Sequence, residues 1–240
     1  CGPVEWMHRE GLLGSSARQL LVHGLFVSDA ELKRLDSARH ALCACPYSQM
    51  QFGFPAPVPE WEAGGAAWFV GTDPGASNDS MDVQKELRAV AGMTTAQVTW
   101  SQERGDLRAG ISAERVAAVD RARRISDGDP LRDPRHLLHR IWAGPGKWCG
   151  GLKAGVIEEG ARAQLLVIDP EHPALWPARD PFRALAFGSV GPALTGVIAA
   201  GRWVGEPGDP GACLREPVVR EWIDEATRRH GELMERAGVG

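Results

Sequence analysis

The sequence predicts an α/β fold followed by a small β-domain, and two observations predict it. Three short apolar runs, 19–24, 40–45 and 66–70, each give way to a turn and a helical pattern. Strands alternating with helices argue for a parallel sheet or a barrel. From Gly155 the pattern changes to short strands broken by Gly and Pro turns, as in a small antiparallel sheet.

Each element has its own justification. The chain opens at Cys1, and Gly2-Pro3 reads as the middle of a loop, so the expectation is the carboxyl-terminal part of a longer protein. Val4, Met7 and Leu12 carry helical spacing before the Gly11-Leu12-Leu13-Gly14 stop. Ser28 and Glu31 form a capping-box pattern for a helix running to about Ala38. The second strand ends at Pro46-Tyr47-Ser48-Gln49, and a short helix near 57–63 stops at Gly64-Gly65. After the third strand, residues 74–80 make a small-residue turn, and 81–93 read as a helix that Asp79 or Ser80 could cap. Residues 100–110 read as polar loop. Residues 112–124 read as an amphipathic helix with Val116, Val119 and Ala122 on one face. A loop over 127–134 leads to a short helix over 136–142, ended by Gly144-Pro145-Gly146. Val156-Ile157, 165–168, 194–200 and 202–204 read as strands, with Gly201 at a hairpin turn. A segment over 184–190 leads into the third of them, 205–212 is loop, and 216–237 is a charged, exposed helix.

Composition narrows the class. With 240 residues and 43% hydrophobic content, the chain can bury a core in one or two domains. The charge is mixed, the net is −4, and no basic patch points to nucleic acid. No apolar run approaches the roughly 18 residues that span a bilayer, and no signal peptide is visible, so the expectation is a cytoplasmic protein without a membrane partner. Five cysteines lack metal-finger spacing. Cys43 and Cys45 share one strand face and read as reduced core thiols rather than a disulfide or zinc site. The nine tryptophans read as core and interface packing rather than a stacking platform.

Polar residues at the strand ends are the candidate site: His23, Ser48 with Gln49, and Asp73. An acidic residue at the carboxyl end of a buried parallel strand, just before a βα loop, is where barrel enzymes keep catalytic groups. By pattern alone, Asp73 reads equally as a turn-former or cap, and His23 as a buried imidazole satisfied by the backbone. Ser48 and Gln49 read as pocket lining or a plain turn. Ser77 and Asn78 shape their loop through Asx-type hydrogen bonds. Glu86 and Arg88 read as a structural ion pair or loop brace. His8, His136, His139, His172 and His230 read as surface or structural; His136 and His139 have a helical spacing that could bind metal, but no third ligand stands nearby.

Three motifs carry a resemblance: L-L-V-H-G-L-F-V-S-D-A-E at 20–31, C-P-Y-S-Q at 45–49, and V-G-T-D-P-G-A-S-N at 70–78 with E-L-R at 86–88. They resemble, in order and spacing, barrel strands six, seven and eight of the metal-dependent amidohydrolase superfamily, in its deaminase and chlorohydrolase branch. The resemblance covers 1–95 and resumes at G-V-I-E-E-G-A-R-A-Q-L-L-V-I-D, 155–169. It implies the last part of a (β/α)8 TIM-type barrel over 1–150, a small β-sandwich domain over 151–215 completed by amino-terminal strands, and a terminal helix over 216–240.

The resemblance also implies chemistry: hydrolysis of a non-peptide carbon–nitrogen bond in a small molecule, as deamination of an aminated heterocycle. The hydroxide would be generated at a divalent metal, zinc in preference to iron. Asp73 is then metal ligand and proton shuttle, and His23 polarises the substrate. Ser48, Gln49, Ser77 and Asn78 are substrate-contact candidates. A homo-oligomer, by default a dimer, is expected. Removal of a halide or alkylamine, opening of a cyclic amide, and a non-catalytic fragment or interaction domain stay open. Gln49 stands where the family has Asn, and Gln164 where it has Asp; both lie outside the metal set. The family's H-x-H on strand one, and its His on strand five with a Glu three residues later, have no counterpart in this sequence. The chain by itself is therefore expected to hold no tight catalytic metal and to turn over no substrate.

Overall fold

The three apolar runs of the first half form one parallel sheet in the order β1 (Gln19–Val22), β2 (His40–Ala44), β3 (Ala67–Val70). The computed structural model describes residues 2–103, 129–150, 153–177 and 179–238, with side chains from 95 to 103 excepted. Leu21 stands opposite Leu42, and Cys43 opposite Phe69. Every residue of β2 is buried. A strand covered on both faces has no reason to alternate, which explains its unbroken apolar sequence. On β1, Leu20 and Val22 are about half exposed, so one face of this strand stays open.

Helices α1 (Pro3–Arg9), α2 (Asp29–Leu32), α3 (Pro46–Gln51), α4 (Val58–Ala63), α5 (Gly75–Asn78) and α6 (Val83–Glu103) accompany the sheet. The Ser28–Glu31 capping box forms, but α2 is one turn long and stops far short of Ala38. The Asp36 carboxylate accepts from the Ala38 N–H, and His40 Nδ1 accepts from the Asp36 N–H, so local side-chain bonds replace helical ones. Glu31 also caps α1, because its Oε1 accepts from the N–H groups of Val4 and Glu5 at 3.0 and 3.1 Å.

Several boundaries differ from expectation. The segment after β2 is helical rather than a plain turn. Helix α6 starts at Val83, where the Asp82 carboxylate accepts from Gln84 N–H, while Asp79 closes α5 with φ 58°. Helix α6 runs on to Glu103, into the stretch expected as loop, because no Gly or Pro interrupts 94–103. The expected helix at 112–124 lies outside the described residues. Helix α7 (Pro134–His139) is followed by α8 (Ala143–Trp148), which runs through the Gly144-Pro145-Gly146 expected as a stop.

In the last third, β4 (Leu165–Ile168), β5 (Leu194–Ala199) and β6 (Arg202–Val204) form an antiparallel sheet in that order. Val156-Ile157 is not a strand: Gly155 and Gly160 both turn at φ 80°, and Ile157 is left exposed. The 184–190 segment is helical, with α9 (Pro181–Phe187) and α10 (Val190–Ala193). Helix α9 packs back on α6 and α7, with Gln84 Nε2 donating to the Leu185 carbonyl and the Arg135 guanidinium over the Phe182 ring. Helix α11 (Pro217–Ala237) buries none of its residues, as its charge pattern predicts. No helix among the described residues is long and apolar enough to cross a membrane.

The main core gathers Leu42, Trp61, Trp68, Leu87, Val90 and Leu137, all fully buried. The tryptophans divide: Trp61 and Trp68 fill the core, whereas Trp6, Trp176, Trp203 and Trp222 are exposed.

Candidate active site

The parallel register sets the level at which the polar residues emerge. The ladder extends one step past the strands: the His23 N–H donates to the Cys43 carbonyl at 2.8 Å, and the Gly71 N–H to the Ala44 carbonyl at 2.9 Å. His23, Cys45 and Asp73 therefore leave the carboxyl edge of three neighbouring strands side by side. His23 and Asp73 both take left-handed backbone conformations, φ 72° and 63°. Non-glycine residues adopt these at a cost and concentrate at functional sites. Gly24, at φ 50°, completes the turn; a Cβ there would lie 2.9 Å from Leu42 and Trp61 side-chain atoms.

Asp73 is the hub. Its Oδ2 accepts from the Ser48 hydroxyl at 2.7 Å and lies 3.5 Å from His23 Nε2. Ser48 Oγ is also 2.9 Å from Ser77 Oγ. Gln49 is buried, and its Nε2 donates to the His23 carbonyl at 3.3 Å, tying α3 to the end of β1. Asn78 is buried too; its amide nitrogen donates to the Thr72 carbonyl and to Glu86 Oε1. Of the six sequence candidates, His23, Ser48, Asp73 and Ser77 meet around one carboxylate, and Gln49 and Asn78 turn their amide donors to the backbone that holds it.

Glu86 has no partner in Arg88, which is exposed. Its Oε2 accepts from the Tyr47 N–H at 2.9 Å, so the loop-brace reading describes it and the ion-pair reading does not. Burial pushes its pKa above the ordinary carboxylate range, against the opposing pull of the Asn78 and Tyr47 hydrogen bonds.

Cys45 was missed by sequence reasoning as a neighbour of the site. Its thiol is free and buried, as expected of a core cysteine, yet His23, Cys45 and Asp73 each place a donor atom within 4.8 Å of the others. Among the described residues this is the group that could hold a metal ion, and His136 and His139 are not in it. A nitrogen, sulfur and oxygen donor set suits a borderline ion such as zinc. Tetrahedral zinc spaces its ligands roughly 3.3–3.8 Å apart, and the His23–Asp73 separation of 3.5 Å meets that. The Cys43 thiol, burial and the Asp73 carboxylate push the Cys45 pKa up. The signal for its position was the shared strand face with Cys43: a Cβ on Gly71 would meet both sulfurs, at 3.0 and 3.7 Å.

No family model matches the chain. It is 30% identical over 237 residues to a 5-methylthioadenosine/S-adenosylhomocysteine deaminase of Halobacterium salinarum, covering 98% of the chain and 47% of the relative. A protein of the same name from Pyrococcus abyssi is 25% identical over 203 residues, covering 84% of the chain and 40% of the relative. The chain thus spans about half the length of the curated relatives it matches. Among solved structures, a zinc-bound adenosine deaminase from Xanthomonas campestris superposes with a TM-score of 0.66 at 21% identity, over 93% of this chain and 45% of that one. A zinc-complexed atrazine chlorohydrolase from Arthrobacter aurescens gives 0.62 at 20% identity, over 85% and 39%. These two likenesses establish a shared fold.

Proposed function

Because this chain belongs to the metal-dependent amidohydrolase superfamily, we propose that the intact protein hydrolyses a non-peptide carbon–nitrogen bond, releasing ammonia from an aminated heterocycle. The observation that carries this is the convergence on Asp73, with a hydroxyl at 2.7 Å and an imidazole at 3.5 Å on one oxygen. On this reading β1, β2 and β3 are the sixth to eighth strands of a (β/α)8 barrel. The β4–β6 sheet is then part of a β-sandwich over 151–215, and 216–240 a terminal helix. The substrate class we favour is the 6-aminopurine nucleosides that the relatives' names denote. The free thiols of Cys43 and Cys45 suit a cytoplasmic setting.

Asp73 would hold a divalent ion, zinc in preference to iron, with His23 beside it. When bound, such an ion lowers the pKa of a water and makes it a nucleophile at neutral pH. The Asp73 carboxylate would accept a proton from the attacking water and hand it to the departing amino group. The Ser48 hydroxyl keeps one Asp73 oxygen fixed while the other is free to exchange the proton. His23, whose side chain is 40% exposed, can donate from its ring to charge developing on the substrate nitrogen. Water adds to the amidine-like carbon, the C–N bond breaks, and ammonia and the oxo heterocycle result.

The test is ammonia release by the intact protein from 6-aminopurine nucleosides, cytosine-like bases and aminotriazines, before and after chelation and zinc restoration. Release that chelation abolishes and zinc restores is expected. Halide or alkylamine release without ammonia would move the reading to another leaving group on the same scaffold. No turnover with any of these substrates would leave a non-catalytic role.

A further inference from the structure

We propose that Glu86 is a positioning residue for Asp73, an inference that rests on Asp73 being the reacting carboxylate. Glu86 is 2% exposed, and among the described residues its carboxylate faces neutral donors. Oε2 accepts from the Tyr47 N–H at 2.9 Å, near the start of α3. Oε1 accepts from Asn78 Nδ2 at 2.8 Å, and that nitrogen also donates to the Thr72 carbonyl. Tyr47 immediately precedes Ser48, and Thr72 immediately precedes Asp73. One carboxylate therefore holds the backbone on both sides of the 2.7 Å Ser48–Asp73 hydrogen bond.

The chemistry of the position requires a carboxyl group with two accepting oxygens. A glutamine would offer one acceptor and one donor, and the donor would confront either the Tyr47 N–H or the Asn78 amide. Burying a carboxylate away from a cation is costly, so its presence here points to a demand for that double acceptance. Asp73 supplies the demand: at φ 63° its backbone is strained, and its carboxylate direction must be imposed by its surroundings.

The experiment compares Glu86→Gln, Ser48→Ala and the double variant in the intact protein, using the ammonia-release assay. Glu86→Gln is expected to lower kcat about 10- to 100-fold, with KM within about twofold. Ser48→Ala lowers kcat comparably, and the double variant is no worse than the more severe single one, because both break one constraint. Glu62→Gln, in a half-buried network elsewhere, lowers stability and leaves kcat unchanged, separating positioning from general loosening. Should Glu86→Gln not fold, Asn78→Ala, which removes only the Thr72 side of the brace, is expected to give a smaller loss in kcat; an unchanged kcat would overturn the inference. A folded Glu86→Gln protein with wild-type kcat, or losses that multiply in the double variant, would also overturn it and leave the deamination standing. A wild-type protein without turnover would overturn both.

Discussion

Ser48 Oγ sits 2.7 Å from Asp73 Oδ2, nearer than His23 Nε2 at 3.5 Å to the same oxygen. The serine, on the helix after β2, therefore orients the carboxylate at the end of β3. Ser48→Ala is expected to cost about 1 kcal/mol of stability, read as a shift in urea midpoint. Its loss in kcat should greatly exceed what that destabilisation explains.

Asp73→Asn keeps the size and one accepting oxygen but removes the charge and the proton exchange. In the intact protein kcat should fall at least about 100-fold, while the circular dichroism spectrum is unchanged. Zinc content, measured by elemental analysis, should fall with it. Retained activity in Asp73→Asn would remove the carboxylate from the reaction.

Acid stability should divide between two buried glutamates of opposite sign. For Glu31, burial alone would raise the pKa, but donors from Ser28, Glu5 and Val4 outweigh it and hold the group below its ordinary 4.5. Its stabilising contribution is complete above that value and is lost as pH falls through the lower, folded one. Glu31→Gln should therefore cost about 1–2 kcal/mol at neutral pH and flatten the acid limb. Glu86, raised above 4.5, binds its proton more tightly folded than unfolded. Its contribution is present below 4.5 and lost as pH rises through the raised value. Urea denaturation across the acid range, with Glu86→Gln steepening the rise of stability with pH, checks both signs.

Arg140 should prove a stability residue rather than a site residue. Its guanidinium lies 2.8 Å from Glu62 Oε2 and 4.5 Å over the Trp68 ring. Trp68 Nε1 and His136 Nε2 approach the same oxygen at 2.7 and 3.2 Å. Arg140→Met leaves the half-buried Glu62 carboxylate without its cation and should cost about 3 kcal/mol. Adding Glu62→Gln should restore part of it, by denaturation.

How legible the site was depended on whether a residue's role was local. Asp73 and His23 could be read because each ends an apolar run, and a strand end is visible in the chain. Ser48 could be placed near them but not bonded to Asp73, since 25 residues separate the two. Glu31 illustrates the same division: its link to Ser28 is a spacing of three, whereas its cap on α1 spans 27 positions. The brief α2 and the late start of α6 were misjudged because side-chain bonds from Asp36 and Asp82 reset those helix ends.

By itself the sequence determined the three parallel strands and the helical character of what lies between them, the apolar character of β2, the exposed terminal helix and the residues that stand at strand ends. These follow from period and turn chemistry, which act over a few residues. Only the tertiary structure decided that Cys45 adjoins the His23–Asp73 pair and that Glu86 spans two loops. It also decided that α9 packs on α6 and α7 rather than only beside β4–β6. Register and packing bring these groups together across tens of residues, and no local pattern encodes a distance of that kind.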